Sequence, residues 1–358
     1  MSEWKEYKLG EVITIKYGKD HKNLKDGKYP VYGSGGIMRY ADNFLYDKES
    51  ILIPRKGSLN NIFYREKAFW TVDTMFYSEI DTTKVFPKFL YYQLTLVDFE
   101  NLNVGSAVPS LTIPIINDID ISLPSLSEQK RIASILSSLD DKIDLLHREN
   151  KTLEAMAETL FHQWFIEEAK EDWKEVPLTK IANFLNGLPC QKYPPKNNIE
   201  KLPVLKIREL SNGIGKDCDW ATTDIANEYI VSNGDVIFAW SASLMVKIWN
   251  GENCILNQHL FKVTSDKYPK WFYYFWCKYH LDEFITIAQS HATTMGHIKR
   301  KDLDSAIILL PTDIELEIMN SKIENIFEKI GNNNNEIQTL IQTRDSLLPK
   351  LMSGEIKV

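Results

Sequence analysis

Eight residues concentrate the groups that nucleic acid recognition needs. Pro54-Arg55-Lys56-Gly57-Ser58-Leu59-Asn60-Asn61 holds two cations, a permissive glycine, a hydroxyl and two amides. An arginine such as Arg55 can bridge guanine O6 and N7, and an asparagine such as Asn60 can bridge adenine N6 and N7. Lys56, Ser58 or a backbone N–H can hold phosphate. A second segment, Ala239-Trp240-Ser241-Ala242-Ser243-Leu244, keeps this frame but replaces the charges, leaving Ser241 and Ser243. Another pair of loops adds Ser106 and Ser110 from Gly105–Leu111, and Thr293 and His297 from His291–Ile298. Leu111 to Pro124 and Ile298 to Pro311 span 13 positions each. Frames that repeat while their polar side chains differ suit two domains reading two sequences. Surface loops drifting without constraint would also differ in this way.

Lys19 and Lys22 lie in a cluster with Lys16, His21, Lys25 and Lys28, and Lys206, Arg208, Lys299 and Arg300 supply further cations. These are candidate phosphate contacts, although such clusters also occur as solvated loops. The net charge of −7 taken alone opposes DNA binding, but its distribution matters more. Residues 1–123 hold 15 Lys/Arg against 16 Asp/Glu, and 169–311 hold 17 against 16. Residues 124–168 hold 5 against 9, and 312–358 hold 5 against 8. The acidic excess therefore sits in two segments and leaves the other two neutral, able to segregate a basic face.

Catalytic patterns are missing. The chain has no GxxxxGK[ST], HExxH or GxSxG, no GxGxxG opening a helix, and no Asn/Asp-Pro-Pro-Tyr. Gly33-Ser34-Gly35-Gly36 and Gly213-Ile214-Gly215-Lys216 read as turns. Cys190, Cys218, Cys254 and Cys277 are dispersed, which predicts no disulfide framework, no structural zinc and a cytoplasmic setting. No cofactor is expected. No apolar run approaches the roughly 18 residues of a membrane span, and the polar start is unlike a signal peptide.

The elements that position the loops come from a duplication. Trp4-Lys5-Glu6 recurs as Trp173-Lys174-Glu175, with Gly18 and Gly187 following at equal spacing. Ser50–Ile53 answers Asp235–Phe238, and Pro87–Tyr92 answers Pro269–Tyr274. From Ile132 to Trp164 a heptad seam runs through 132, 136, 139, 143, 146, 150, 153, 157, 160 and 164, and adding 187 gives a second seam from Met319 to Leu351. Asn150, Asn333 and Arg344 are polar seam positions that can fix register. Each helix extends about 40 residues, or ~60 Å. The expected class is α+β, with two mixed α/β globes separated by two long antiparallel coiled-coil helices in a pseudo-twofold repeat. Strands are expected at Ser50–Pro54, Val236–Ala239, Leu260–Val263 and Ala306–Leu310, with helical stretches near Phe86–Val97 and Tyr268–Ala288.

Pro124-Ser125-Leu126-Ser127-Glu128-Gln129-Lys130-Arg131-Ile132-Ala133, the heptads and Leu160-Phe161-His162-Gln163-Trp164-Phe165 resemble the central helix of type I restriction-modification specificity subunits. Leu347–Ile356 resembles that family's C-terminus, and the Ile53–Ser58 and Gly33–Ile37 segments resemble its target-recognition domains. The resemblance spans essentially the whole chain. It implies target-recognition domains at 1–123 and 169–311, spaced by the helical segments 124–168 and 312–358. Each domain would contact one half of a bipartite site in double-stranded DNA. The helices would bind two modification (methyltransferase) subunits, and restriction subunits would join that core. The Gln-Lys-Arg run of the first helix start is lost at Pro311–Glu317, where Glu315 remains.

A non-catalytic DNA-specificity subunit is therefore expected. The alternatives are a split-off recognition part of another restriction enzyme and a coiled-coil adaptor that binds no nucleic acid. Antiparallel helices would set the globes about 34–36 Å apart, to enter successive major grooves. Glu128, Arg131, Asp140 and Asp141 flank the seam and are expected to face partner helices. Phe161, Trp164 and Phe165 exceed what a two-helix seam needs; they suit a partner anchor or packing under the second globe.

Overall fold

The computed structural model describes residues 4–105, 108–215, 217–290 and 296–358. They form two compact units, one of residues up to Lys142 together with Leu340–Val358, the other Ile143–Thr339. Each unit contains one globe and a stretch of both long helices.

In the first unit a four-stranded antiparallel sheet has the spatial order Ile13–Tyr17, Met75–Ile80, Ser50–Pro54, Phe63–Arg65. In the second the same order recurs as Asn183–Asn186, Leu260–Thr264, Val236–Ala239, Met245–Ile248. Every residue of Ser50–Pro54 and Val236–Ala239 is buried, as expected of apolar strands covered on both faces. A second sheet in each unit pairs one long segment in parallel with a short one: Asp26–Gly33 with Trp70–Thr71, and Lys201–Leu205 with Cys254–Leu256. Lys5–Lys8 closes on Asp120–Leu123, and Lys174–Pro177 closes on Ile307–Leu310 in the matching place.

The duplication extends to single backbone contacts. The Gly18 amide donates to the Met75 carbonyl at 2.9 Å, and Gly187 donates to Leu260 at 3.1 Å. A Cβ at Gly18 would lie 2.0 Å from the Val72 oxygen, and one at Gly187 2.2 Å from the Asn257 oxygen. The glycine is thus required twice, by the same close approach.

Four expected strands form, the last beginning at Ile307 and the third reaching Thr264. Pro87–Thr95 is helical. The stretch near 268–288 is two helices, Lys270–Tyr279 and Leu281–Ser290, joined at His280. The His280 ring there contacts Glu283 and the Ile307 carbonyl, both at 3.0 Å.

The long helices span Leu126–His162 and Asp313–Met352. Every residue on both expected seams is buried or half-buried. Within the first unit Ile132 and Leu136 share a core with Leu347 and Leu351, and Asp140 pairs with Arg344 at 2.9 Å. Within the second, Asn150 meets Asn333 and Asn334, while Trp164 lies under Lys322. In both units one helix ascends as the other descends, so they run antiparallel. The polar interruptions are partners of other polar groups rather than defects. The Asn150 amide donates to Asn334 at 2.7 Å and accepts from Asn333 at 2.8 Å.

Both helices start with the same cap. The Glu128 amide donates to Ser125 Oγ, and the Glu315 amide donates to Thr312 Oγ1, each at 3.3 Å. Glu315 returns the contact by accepting from the Thr312 amide at 3.0 Å, completing a capping box.

Candidate nucleic-acid interface

Within each unit the fold brings the two recurring loops together. Lys56 bridges Ser110 in the first unit, and Ser241 bridges His297 in the second. The surrounding bonds repeat position by position. Leu111 N donates to Arg55 O at 2.9 Å and Gly57 N to Pro109 O at 3.2 Å. Their counterparts are Ile298 N to Trp240 O at 3.1 Å and Ala242 N to Gly296 O at 2.9 Å. The loop base is tied to the central sheet by Arg55 N donating to Thr74 O and by Trp240 N donating to His259 O. Gly57 adopts φ 91°, and its counterpart Ala242 adopts φ 58°, the one positive-φ non-glycine among the described residues. A side chain is tolerated there because the frame over-determines the backbone.

The side chains on this frame differ. The Arg55 guanidinium lies 5.7 Å from the centre of the exposed Tyr17 ring, and its Nε has no partner. Lys56 and Ser58 are exposed beside it. Among the described residues no carboxylate lies within ion-pair distance of Arg55 or Lys56. The Gly33–Gly36 turn closes one side, where Asn61 Nδ2 donates to Ser34 O at 3.1 Å. Asn60 is turned toward Asp98, to which its Nδ2 donates at 3.3 Å. Lys19 and Lys22 are exposed on the segment just after Tyr17.

In the second unit Trp240 occupies the place of Arg55. Its ring stacks on Phe261 at 5.7 Å, with the His259 ring 6.0 Å away and the His297 ring 6.1 Å away. Its indole Nε1 donates to Asn186 Oδ1 at 3.1 Å. Asn186 stands where the first unit has Tyr17, one residue before the required glycine. Ser241 is buried against His259 Nδ1 at 3.0 Å, whereas Ser243 is exposed. Lys299 and Arg300 are exposed directly after this loop.

The other expected residues fall in varied places. Lys206 is engaged by Asp219, whose carboxyl that bond holds below the ordinary range. Arg208 pairs with the buried Glu209 at 2.8 Å. Both cations are thus used locally. Ser106 and Thr293 lie outside the described residues. Tyr17, Asn186, Trp240 and His259 are absent from the expected set; the repeated glycine marks Tyr17 and Asn186, the loop alignment sets Trp240 against Arg55, and no sequence signal marks His259.

On the helices, Arg131 and Asp141 are exposed, and Glu128 sits nearly buried at the cap. Asp140 accepts from Tyr92 Oη at 2.6 Å as well as from Arg344. Phe161, Trp164 and Phe165 pack inside the second unit, against Trp276, Trp271 and Trp173 respectively. The aromatic surplus is taken up by the helix Lys270–Tyr279. All four cysteines are free and buried, and burial raises each thiol above its ordinary range, against any nucleophilic role. Among the described residues no His, Cys, Asp or Glu group is arranged to hold a metal ion, and no helix is long and apolar enough to cross a membrane.

A duplicated globe with twin loop frames, joined by paired helices, defines the class to which known proteins can be compared. Residues 1–155 and 170–344 match the type I restriction modification DNA specificity domain, and the chain belongs to that family. It is 25% identical over 392 residues to the type I restriction enzyme MjaIX specificity subunit of Methanocaldococcus jannaschii, covering 99% of this chain and 89% of that one. It is 22% identical over 467 residues to the HindI specificity subunit of Haemophilus influenzae, covering 99% and 100%. In fold it resembles the S subunit of the type I restriction-modification system of M. genitalium, with a TM-score of 0.59, 17% identity and coverage of 98% and 96%.

Proposed function

We propose that this chain is the non-catalytic, sequence-reading subunit of a type I restriction-modification complex, with residues 1–123 and 169–311 each reading one half of a bipartite duplex target. The observation that carries this reading is the twin loop frame. One backbone arrangement, repeated bond for bond, presents Arg55, Lys56 and Ser58 in one unit and Trp240, Asn186 and Ser243 in the other. Two binding surfaces of equal shape and different chemistry suit a target with two unlike halves. The long helices, which carry the acidic excess, would dock modification subunits through exposed positions such as Arg131 and Asp141, with restriction subunits joining that assembly.

The test is a pair of substitutions assayed by duplex binding in the assembled complex. Arg55→Ala should cost about 1–3 kcal/mol and relax base preference in one half-site alone. Lys56→Ala should weaken all sequences alike and lower the salt slope by about one. Unchanged binding in both variants would reduce this loop to a turn.

A further inference from the structure

We infer that the base-reading group of the second unit is the Asn186 carboxamide, oriented by Trp240, and that it selects an adenine. This rests on the DNA-reading function proposed above and names a residue and base for it. The starting observation is positional. Tyr17 and Asn186 each precede the glycine forced by close backbone approach, and each touches the first side chain of its loop, Arg55 or Trp240. In the first unit the loop residue carries the hydrogen-bonding groups and the strand residue supports it. In the second these roles are exchanged: Trp240 has only one donor, and it is spent on Asn186.

That bond fixes the carboxamide. An indole N–H can only donate, so it must meet Oδ1, and the amide cannot flip without losing it. Trp240 is itself held by stacking on Phe261. Asn186 is exposed, and among the described residues its Nδ2 has no partner, Trp240 meeting only Oδ1. One lone pair of Oδ1 and both Nδ2 hydrogens remain available. An acceptor beside a donor is the complement of the adenine major-groove edge, whose N6 donates and whose N7 accepts. Guanine presents two acceptors there and would need two donors. Trp240 is therefore a positioning residue and Asn186 the reader.

The experiment selects duplexes from a randomised library with the full chain in its modification complex, comparing wild type with Asn186→Ala, Asn186→Asp and Trp240→Phe. Wild type should prefer adenine at one position of the second half-site by about ten- to hundred-fold. Asn186→Ala should reduce that preference to within about two-fold, leaving the first half-site unchanged. Asn186→Asp should move it toward cytosine, whose N4 donates to a carboxylate. Trp240→Phe, which keeps a ring but loses the donor, should weaken preference at that same position only. Retention of the second half-site by Asn186→Ala overturns the inference, as does equal loss of preference across both halves. A wild-type complex that selects no sequence at all overturns the proposed function instead.

Discussion

Replacing Asn150 with leucine tests whether the polar seam is a designed lock. Asn150 donates to Asn334 Oδ1 and accepts from Asn333 Nδ2, and both partners are nearly buried, at 1% and 6% exposure for Asn333 and Asn334. Leucine leaves both groups orphaned, at about 1–3 kcal/mol each. Its apolar surface returns about 1–2 kcal/mol. The expected net destabilisation is about 2 kcal/mol, read as a lower urea midpoint at unchanged slope. Asn333→Leu orphans Asn150 Oδ1 and should cost about 1 kcal/mol. The double variant Asn150→Leu/Asn333→Leu orphans only Asn334 Oδ1 and places leucine on both sides of the seam. It should be more stable than the sum of the single costs by at least about 1 kcal/mol. Strict additivity, or a single variant within about 0.5 kcal/mol of wild type, would refute the reasoning.

Glu315 is held at about 2, below its ordinary 4.5, chiefly by the Lys170 ammonium and then by Thr312, with Trp173 also donating. Because the folded value is depressed, its contribution is complete above about pH 4.5 and is lost as pH falls toward 2. Glu315→Gln should therefore cost about 1 kcal/mol at pH 7, with the difference shrinking across that window; a gap independent of pH in denaturant melts would contradict this. Gly57→Ala should destabilise the first unit by about 1–2 kcal/mol, because φ is 91° and a Cβ would lie 2.7 Å from Ser34 Oγ. Ala242→Gly, at the equivalent position with φ 58°, should be neutral or stabilising by up to about 1 kcal/mol; both variants are read as shifts of the urea midpoint, and an unchanged midpoint for Gly57→Ala would contradict the strain argument.

The duplication, both seams and the strands leading into the loops were legible in the sequence because periodicity and spacing are local properties. Asn150 and Arg344 were visible as polar seam positions, but their partners depend on which turns of two distant segments meet. The same limit governs charge. Lys206 looks as free as Lys56 in the sequence, yet Asp219 reaches it only once Lys201–Leu205 pairs with Trp220–Thr222, whereas Arg208 is taken up by its own neighbour Glu209 on one short helix. Phe161, Trp164 and Phe165 stood out as surplus to a two-helix seam; only the fold shows the helix that receives them. Tyr17 and Asn186 lay beside a recurring glycine, but their contact with residues 55 and 240 crosses a sheet and leaves no trace in spacing.

The central claim is that two loop frames in one chain read two separate half-sites. It is tested most directly by sequencing the modified bases in DNA methylated by the complete complex, with wild type compared to Arg55→Ala. The wild-type motif should consist of two short specified segments separated by a fixed unspecified spacer, and Arg55→Ala should degrade one segment while leaving the other and the spacer intact. A single uninterrupted motif, or simultaneous loss of both segments in the variant, would contradict it.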